Sequence, residues 1–204
     1  MPVFGRIRFG VWLAALSCVA ALPTNAEITG SAHDFSTEGW SGGQACVVCH
    51  TPHNAETSLT DTPLWNHEIS VTSYTMYDSP TLTVKPLSQP QGTTKLCLSC
   101  HDGTVAIDSF GGGSGSILLS GTGNLMPDLS DDHPISLKWD HQNESPSCAN
   151  CHNAHGQPFS TPLPFFNGYI ECATCHDVHS ATAEPTLLRL PLQGSQLCLH
   201  CHGR

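Results

Sequence analysis

Basic side chains are scarce in this chain: 7 Lys and Arg stand against 17 Asp and Glu in 204 residues, a net charge of −10. Beyond Arg6 and Arg8, the residues Lys85, Lys95, Lys138, Arg189 and Arg204 are scattered singly. No basic patch can form to gather phosphates, which argues against nucleic acid as a partner. Aromatic residues make up only 7% of the chain, alongside 18 Gly and 15 Pro. A chain of this length ordinarily builds its own apolar core, but one poor in large side chains and rich in turn formers lacks the material for it. Long apolar runs are missing as well. The longest, Phe9 to Leu22, falls short of the roughly 20 residues that a spanning helix needs. Methionine is rarer still, with only Met76 and Met126 after Met1.

What the chain does have is cysteine and histidine, 11 and 13 of them. Ten cysteines fall into five copies of Cys-x-x-Cys-His: Cys46, Cys49 and His50; Cys97, Cys100 and His101; Cys148, Cys151 and His152; Cys172, Cys175 and His176; Cys198, Cys201 and His202. This pattern is the attachment signature of covalent c-type haem. One tight turn brings two thiols to the same edge of a porphyrin and swings the next side chain under its centre, where the imidazole ligates iron. Isolated Cys-x-x-Cys pairs also serve as zinc knuckles, disulfides or redox dithiols. None of those needs a histidine directly after every second cysteine, and all five copies carry it. Five covalently attached haem c groups are therefore expected.

The eleventh cysteine, Cys18, lies in an N-terminal stretch with a basic start (Arg6, Arg8), the apolar run to Leu22, and Thr24-Asn25-Ala26. This reads as a secretory signal peptide, residues 1–26, cleaved after Ala26. A lipid anchor on Cys18 is the rival, since Ala15-Leu16-Ser17-Cys18 loosely resembles a lipobox, but apolar residues continue past the cysteine. Export to the periplasm, the cell surface or the extracellular space suits covalent haem, and no transmembrane segment follows. Residues 27–204 then form one pentahaem domain, with roughly one haem for every 36 residues.

Eight histidines remain for the sixth iron position: His33, His53, His67, His133, His141, His155, His179 and His200. Two methionines can serve at most two sites, so bis-histidine ligation is the economical reading, with potentials below those of His/Met cytochromes. His53, His155 and His179 each follow a proximal histidine by three residues. Residues three apart on a helical turn project from one side, so these cannot reach round their own ring and are expected to ligate a neighbouring haem. The plainer alternative is exposed histidines trailing a haem turn. His133, stiffened by Pro134, then His67, then His33 lie in long inter-motif segments able to return over an open haem face. His141 reads as a surface or propionate-contacting residue, and His200 lies within its own haem loop. Six candidates for five irons leave one spare.

The first cysteines of the motifs, at 46, 97, 148, 172 and 198, are loosely spaced at first and then dense. Between them Gly111 to Gly123 is Gly-rich and predicts a flexible loop. Partial alternation from Trp65 to Tyr77 predicts a short strand, and short helices are expected at the motifs, above all the last. The expected fold is mostly irregular coil with a few short α-helices and a short β-hairpin, its core a stack of five covalent haems.

The stretches 46–54 (Cys-Val-Val-Cys-His-Thr-Pro-His-Asn), 97–106 (Cys-Leu-Ser-Cys-His-Asp-Gly-Thr-Val-Ala) and 132–135 (Asp-His-Pro-Ile) resemble the multihaem cytochromes of metal-reducing and related bacteria that carry doubled Cys-x-x-Cys-His motifs. That group overlaps with extracellular cytochromes that polymerise into conductive filaments. The resemblance implies sparse secondary structure, haems in alternating stacked and T-shaped contact, and, in filament members, a distal histidine donated by the adjacent subunit. By location, that last role would fall to His33. It implies an electron conduit whose partners are redox proteins, extracellular electron acceptors or further copies of itself. A multihaem reductase of nitrite, hydroxylamine or sulfur oxyanions is the alternative, but it needs an open iron, often marked by Cys-x-x-Cys-Lys, and that motif is absent. A membrane-bound quinol oxidase module lacks its anchor helix.

Overall fold

The structure, a computed structural model, describes Met1 and residues 28–82, 84–139, 163–180 and 186–202. The leader, the third motif with Cys148, Cys151, His152 and His155, and His141 lie outside the described residues. Regular structure is sparse. Helix α1 spans Gly92–His101, α2 Cys172–Cys175 and α3 Gln196–Leu199, with single 3-10 turns at Phe35–Thr37, Gly39–Ser41, Gly121–Gly123 and Gln193–Ser195. Strands β1 (Leu137–Lys138) and β2 (Tyr169–Ile170) pair antiparallel, with Leu137 opposite Ile170. The chain is thus mostly coil with a few short helices and one two-stranded antiparallel element.

Helix α1 carries the second motif and is the longest element among the described residues. Its start follows Pro90, which disfavours helix at the residue before it. Its end is set by Gly103 at φ 68, a left-handed cap that glycine adopts without strain, with the Gly103 amide donating to the Cys100 carbonyl at 3.3 Å. Leu98, 1% exposed, packs against Tyr74 and Leu129, with Met76 and Ile135 at the margin. This small cluster packs against Leu98, and the helix buries Leu96 as well. One turn before Leu98, the helix holds α2: Thr94 Oγ1 accepts the Cys172 amide at 3.0 Å. Ser136 ties in β1, donating to the buried Glu171 carboxylate at 3.1 Å and accepting the Gln91 amide at 3.2 Å.

Helices do sit on motifs, but α3 is only four residues long because Gly194 and Ser195, at φ 64 and 60, hold left-handed backbone just before it. The first motif is a turn, not a helix. The strand expected over 65–77 does not form. Single bridges pair His50 with Trp65, His67 with Phe110 and Thr75 with Asp128. Side chains replace a strand neighbour there. The Gln89 amide group takes the Tyr74 N–H at 2.8 Å and donates to the Tyr74 carbonyl at 2.9 Å, and Ser99 Oγ takes the Ser70 N–H at 3.1 Å. Once side chains satisfy those backbone groups, no ladder is needed.

The Gly-rich segment 111–123 is irregular and tied down. Ile107 N–H donates to the Ile117 carbonyl at 2.8 Å, and Asp108 Oδ1 accepts the amides of Ser116 and Ile117 at 2.8 and 2.9 Å. Gly115 is required for this approach, since a Cβ there would lie 2.6 Å from the Asp108 carbonyl carbon.

Candidate functional site

The described motifs share one backbone turn. The amides of His50, His176 and His202 donate to the carbonyls of Cys46, Cys172 and Cys198 at 2.9, 3.0 and 2.8 Å. Each turn places its two cysteines one helical step apart and the histidine just after them.

Three of these histidines are then oriented by a carbonyl. His50 Nδ1 lies 2.6 Å from the Pro63 oxygen, His101 Nδ1 2.7 Å from that of Gly123, and His176 Nδ1 2.8 Å from that of Thr186. A carbonyl only accepts, so Nδ1 carries the hydrogen and Nε2 keeps its lone pair for a metal. Metal-binding histidines are typically fixed in this way, which sets the tautomer and raises ligand basicity.

The device around His50 recurs around His176. In the first motif, the Cys49 carbonyl accepts from Asn66 at 3.0 Å and Thr51 N–H donates to Leu64 at 2.8 Å. In the fourth, the Cys175 carbonyl accepts from Arg189 at 2.8 Å and Asp177 N–H donates to Leu187 at 2.7 Å. In both, a leucine in left-handed backbone, Leu64 at φ 55 and Leu187 at φ 56, follows the residue whose carbonyl meets the imidazole. Such a conformation costs a branched residue roughly 1–2 kcal/mol, so it is held by the surrounding bonds. Arg189 anchors the second copy, with Nη1 2.8 Å from Asp177 Oδ2 and Nε donating to the Ala173 carbonyl at 2.9 Å. The second motif is pinned by different means: the 111–123 segment ends by presenting Gly123 to His101, and Leu125 N–H donates to the His101 carbonyl at 2.7 Å.

Imidazoles meet in pairs. His50 faces His179 with ring centres 6.0 Å apart, His33 faces His101 at 5.9 Å, and His133 faces His202 at 6.2 Å. Two imidazoles bound to opposite faces of one metal ion, through nitrogens about 2 Å from it, have ring centres about 6 Å apart. Each pair joins one histidine of a Cys-x-x-Cys-His turn to one from a distant segment, a spacing compatible with two ligands of one iron. A zinc reading wants three or four converging donors. Among the described residues no three His, Cys, Asp or Glu side chains converge on a metal-sized point. The described cysteines form no disulfide with one another. Burial raises the pKa of Cys49 to about 11, of Cys100 to about 12 and of Cys201 to about 11. The donor set fits c-type haem.

The other sequence candidates are placed differently. His67 is buried, its Nδ1 2.8 Å from the Glu68 carbonyl and its Nε2 3.0 Å from that of Ala106, with Cys100 Sγ 3.5 Å away. His53 is exposed and faces no imidazole among the described residues. His53 and His67 line one cleft of about 610 Å³ with Trp65 and Gly111, a size that accommodates ligand-scale groups. His200 is buried, and burial lowers its pKa. Thiols of different motifs lie together as well: Cys172 is close enough to Cys97 to push the Cys97 thiol up, together with burial. Sequence reasoning missed the orienting carbonyls of Pro63, Gly123 and Thr186. Every residue carries a carbonyl, so no residue type could have marked them.

Paired imidazoles over Cys-x-x-Cys-His turns define the site of a c-type cytochrome. The comparison with known families agrees for the C-terminal part, where residues 163–204 match the family described as doubled CXXCH motif. That stretch holds the fourth and fifth motifs and supports a multihaem c-type cytochrome with covalently bound haem c, acting in electron transfer. No curated protein matches the chain. No helix among the described residues is long and apolar enough to cross a membrane.

Proposed function

We propose that the protein is a pentahaem c-type cytochrome that relays electrons between closely packed bis-histidine haems outside the cytoplasmic membrane, without transforming a substrate. The observation that carries this reading is the set of three imidazole pairs at 5.9, 6.0 and 6.2 Å, each combining a motif histidine with one from elsewhere in the chain. The ten motif cysteines anchor five haems, and His50, His101, His152, His176 and His202 are the proximal ligands. His179 closes the haem of His50, His33 that of His101, and His133 that of His202. His53, His67 and His155 remain as candidates for the other two. Each haem supplies an iron that takes up and releases one electron.

The chain's own residues do the rest. Carbonyls of Pro63, Gly123 and Thr186 fix the proximal tautomers, and an added ligand on the far face shuts out substrate and water. The contact of Cys97 with Cys172 and the reach of His179 across to His50 support neighbouring haems close enough for electrons to hop between them. Residues 1–26 direct export, which delivers the chain to where covalent haem attachment takes place. Its partners are other redox proteins or extracellular acceptors.

Intact mass of the purified mature protein, read with its ferric electron paramagnetic resonance spectrum, tests this. Five haem additions with only low-spin signals are expected. A colourless protein ends the reading, and a high-spin signal that shifts on adding nitrite turns it towards the reductase.

A further inference from the structure

Residues 28–43 form a strap that is folded onto the second motif. Asp34 organises its start, accepting the Gly30 amide at 2.8 Å and the Ser36 amide at 3.0 Å. Ser41 Oγ closes it on the carbonyls of Phe35 and Glu38 at 2.6 and 2.9 Å. Phe35 packs on Trp40 with ring centres 5.4 Å apart, and Trp40 on Phe110 at 6.1 Å. Phe110 belongs to the segment leaving α1, so the strap is clasped to the element that carries His101. At the strap's head, His33 faces His101 at 5.9 Å.

We infer that His33 is the distal ligand of the haem attached at Cys97 and Cys100, and that it serves its own chain, so that this site is completed within one molecule and needs no histidine from a neighbouring copy. This rests on the haem reading above and departs from the filament arrangement, in which that ligand crosses a subunit boundary.

Two further observations bear on it. His33 Nδ1 is buried with no hydrogen-bond partner among the described residues. A buried imidazole nitrogen that no protein group engages is costly, and iron coordination through Nδ1 itself, in place of the Nε2 left free in His50, His101 and His176, would satisfy it. The docking contacts are apolar ring contacts made to Phe110 of the same chain, so the strap has a seat within its own molecule. Association between copies would then run through surface contacts and not through ligand exchange.

The test uses the full-length mature holoprotein. On dilution over about a thousandfold, every haem should stay low-spin, whereas a ligand supplied by another copy would be lost as the copies separate. In His33→Ala one haem of five should turn high-spin, and in His33→Met the potential of one haem should rise. Adding a second chain that keeps His33 but carries Cys97→Ala and Cys100→Ala should not restore the low-spin state of His33→Ala. Restoration on mixing, or a high-spin signal appearing on dilution of the wild type, would place the ligand in trans and overturn the inference. A His33→Ala protein with every haem still low-spin would remove His33 from the ligand set. If His33→Ala does not mature, the dilution series on the wild type and the potentials of His33→Met still decide. Absence of haem from the wild type is a different failure, that of the functional reading itself.

Discussion

Replacing Tyr74 by Phe removes one hydroxyl from the buried network that holds the end of α1. Asp102, directly after His101 and 2% exposed, accepts the hydroxyls of Ser70 and Tyr74, each at 2.6 Å, that of Thr104 at 2.9 Å and the Thr104 amide at 2.7 Å. A hydrogen bond to a buried charged group contributes about 1.5–3 kcal/mol. Ser70 and Thr104 remain in the variant, so a loss of about 2 kcal/mol is expected, which for a chain of this size lowers the melting temperature by about 4–8 °C. The Tyr74 ring stays, along with the Lys95 ammonium 4.8 Å from its centre, so the hydroxyl is isolated as the cause. Acid stability should move with it. Burial works against ionisation of Asp102, yet the hydrogen bonds from Ser70, Tyr74 and Thr104 outweigh it and hold its carboxyl below the ordinary range. As pH falls, the unfolded chain takes up this proton first, so the stabilisation is present above the ordinary carboxylate pKa and drains away as pH drops through the lower folded value. Without the Tyr74 donor that folded value rises, and acid unfolding should begin at higher pH. Thermal and acid melts of the two holoproteins, followed by circular dichroism, read both effects. A change below about 0.5 kcal/mol, or an acid transition that moves to lower pH, would refute the network's role.

Replacing His179 by Met should raise the potential of the haem at Cys46 and Cys49, because His179 faces His50 and Met/His ligation raises the potential. Spectroelectrochemistry against a variant lacking Cys46 and Cys49 assigns the shifted step, and a shift in the haem of its own motif contradicts the pairing. Gly103→Ala should be destabilising by at least about 1–2 kcal/mol, since φ is 68 and the added Cβ would collide with the Asn124 side chain. Denaturant midpoints measure it, and a neutral result would mean that the Asn124 region yields freely. Replacing His133 by Ala should leave the haem at Cys198 and Cys201 high-spin, visible by electron paramagnetic resonance, because His133 is the ring facing His202.

The sequence made the attachment turns legible because their chemistry resides in side chains at fixed spacing. It also gave the expectation that His179 ligates a haem other than that of its own motif, and the ring of His179 lies 6.0 Å from that of His50 in the first motif. Which distal ring meets which proximal one was not legible, since each pair joins segments far apart in the chain. His67 and His33 show the difficulty. Both lie in long inter-motif segments, but one has its two nitrogens against the carbonyls of Glu68 and Ala106, and the other faces His101. The absent strand at 65–77 has a similar origin, because a single side chain, Gln89, takes both backbone groups of Tyr74. The left-handed leucines at 64 and 187 carry no residue-type signal, as glycine or asparagine would. Low aromatic content, by contrast, correctly foretold a chain with little regular structure.

Anomalous scattering recorded at the iron edge from crystals of the mature protein tests most directly whether porphyrin irons occupy the interior between these imidazoles. Iron peaks between His50 and His179, between His33 and His101, and between His133 and His202 are the expected result. Irons bound at the motifs but with any of these three distal histidines turned away would contradict it.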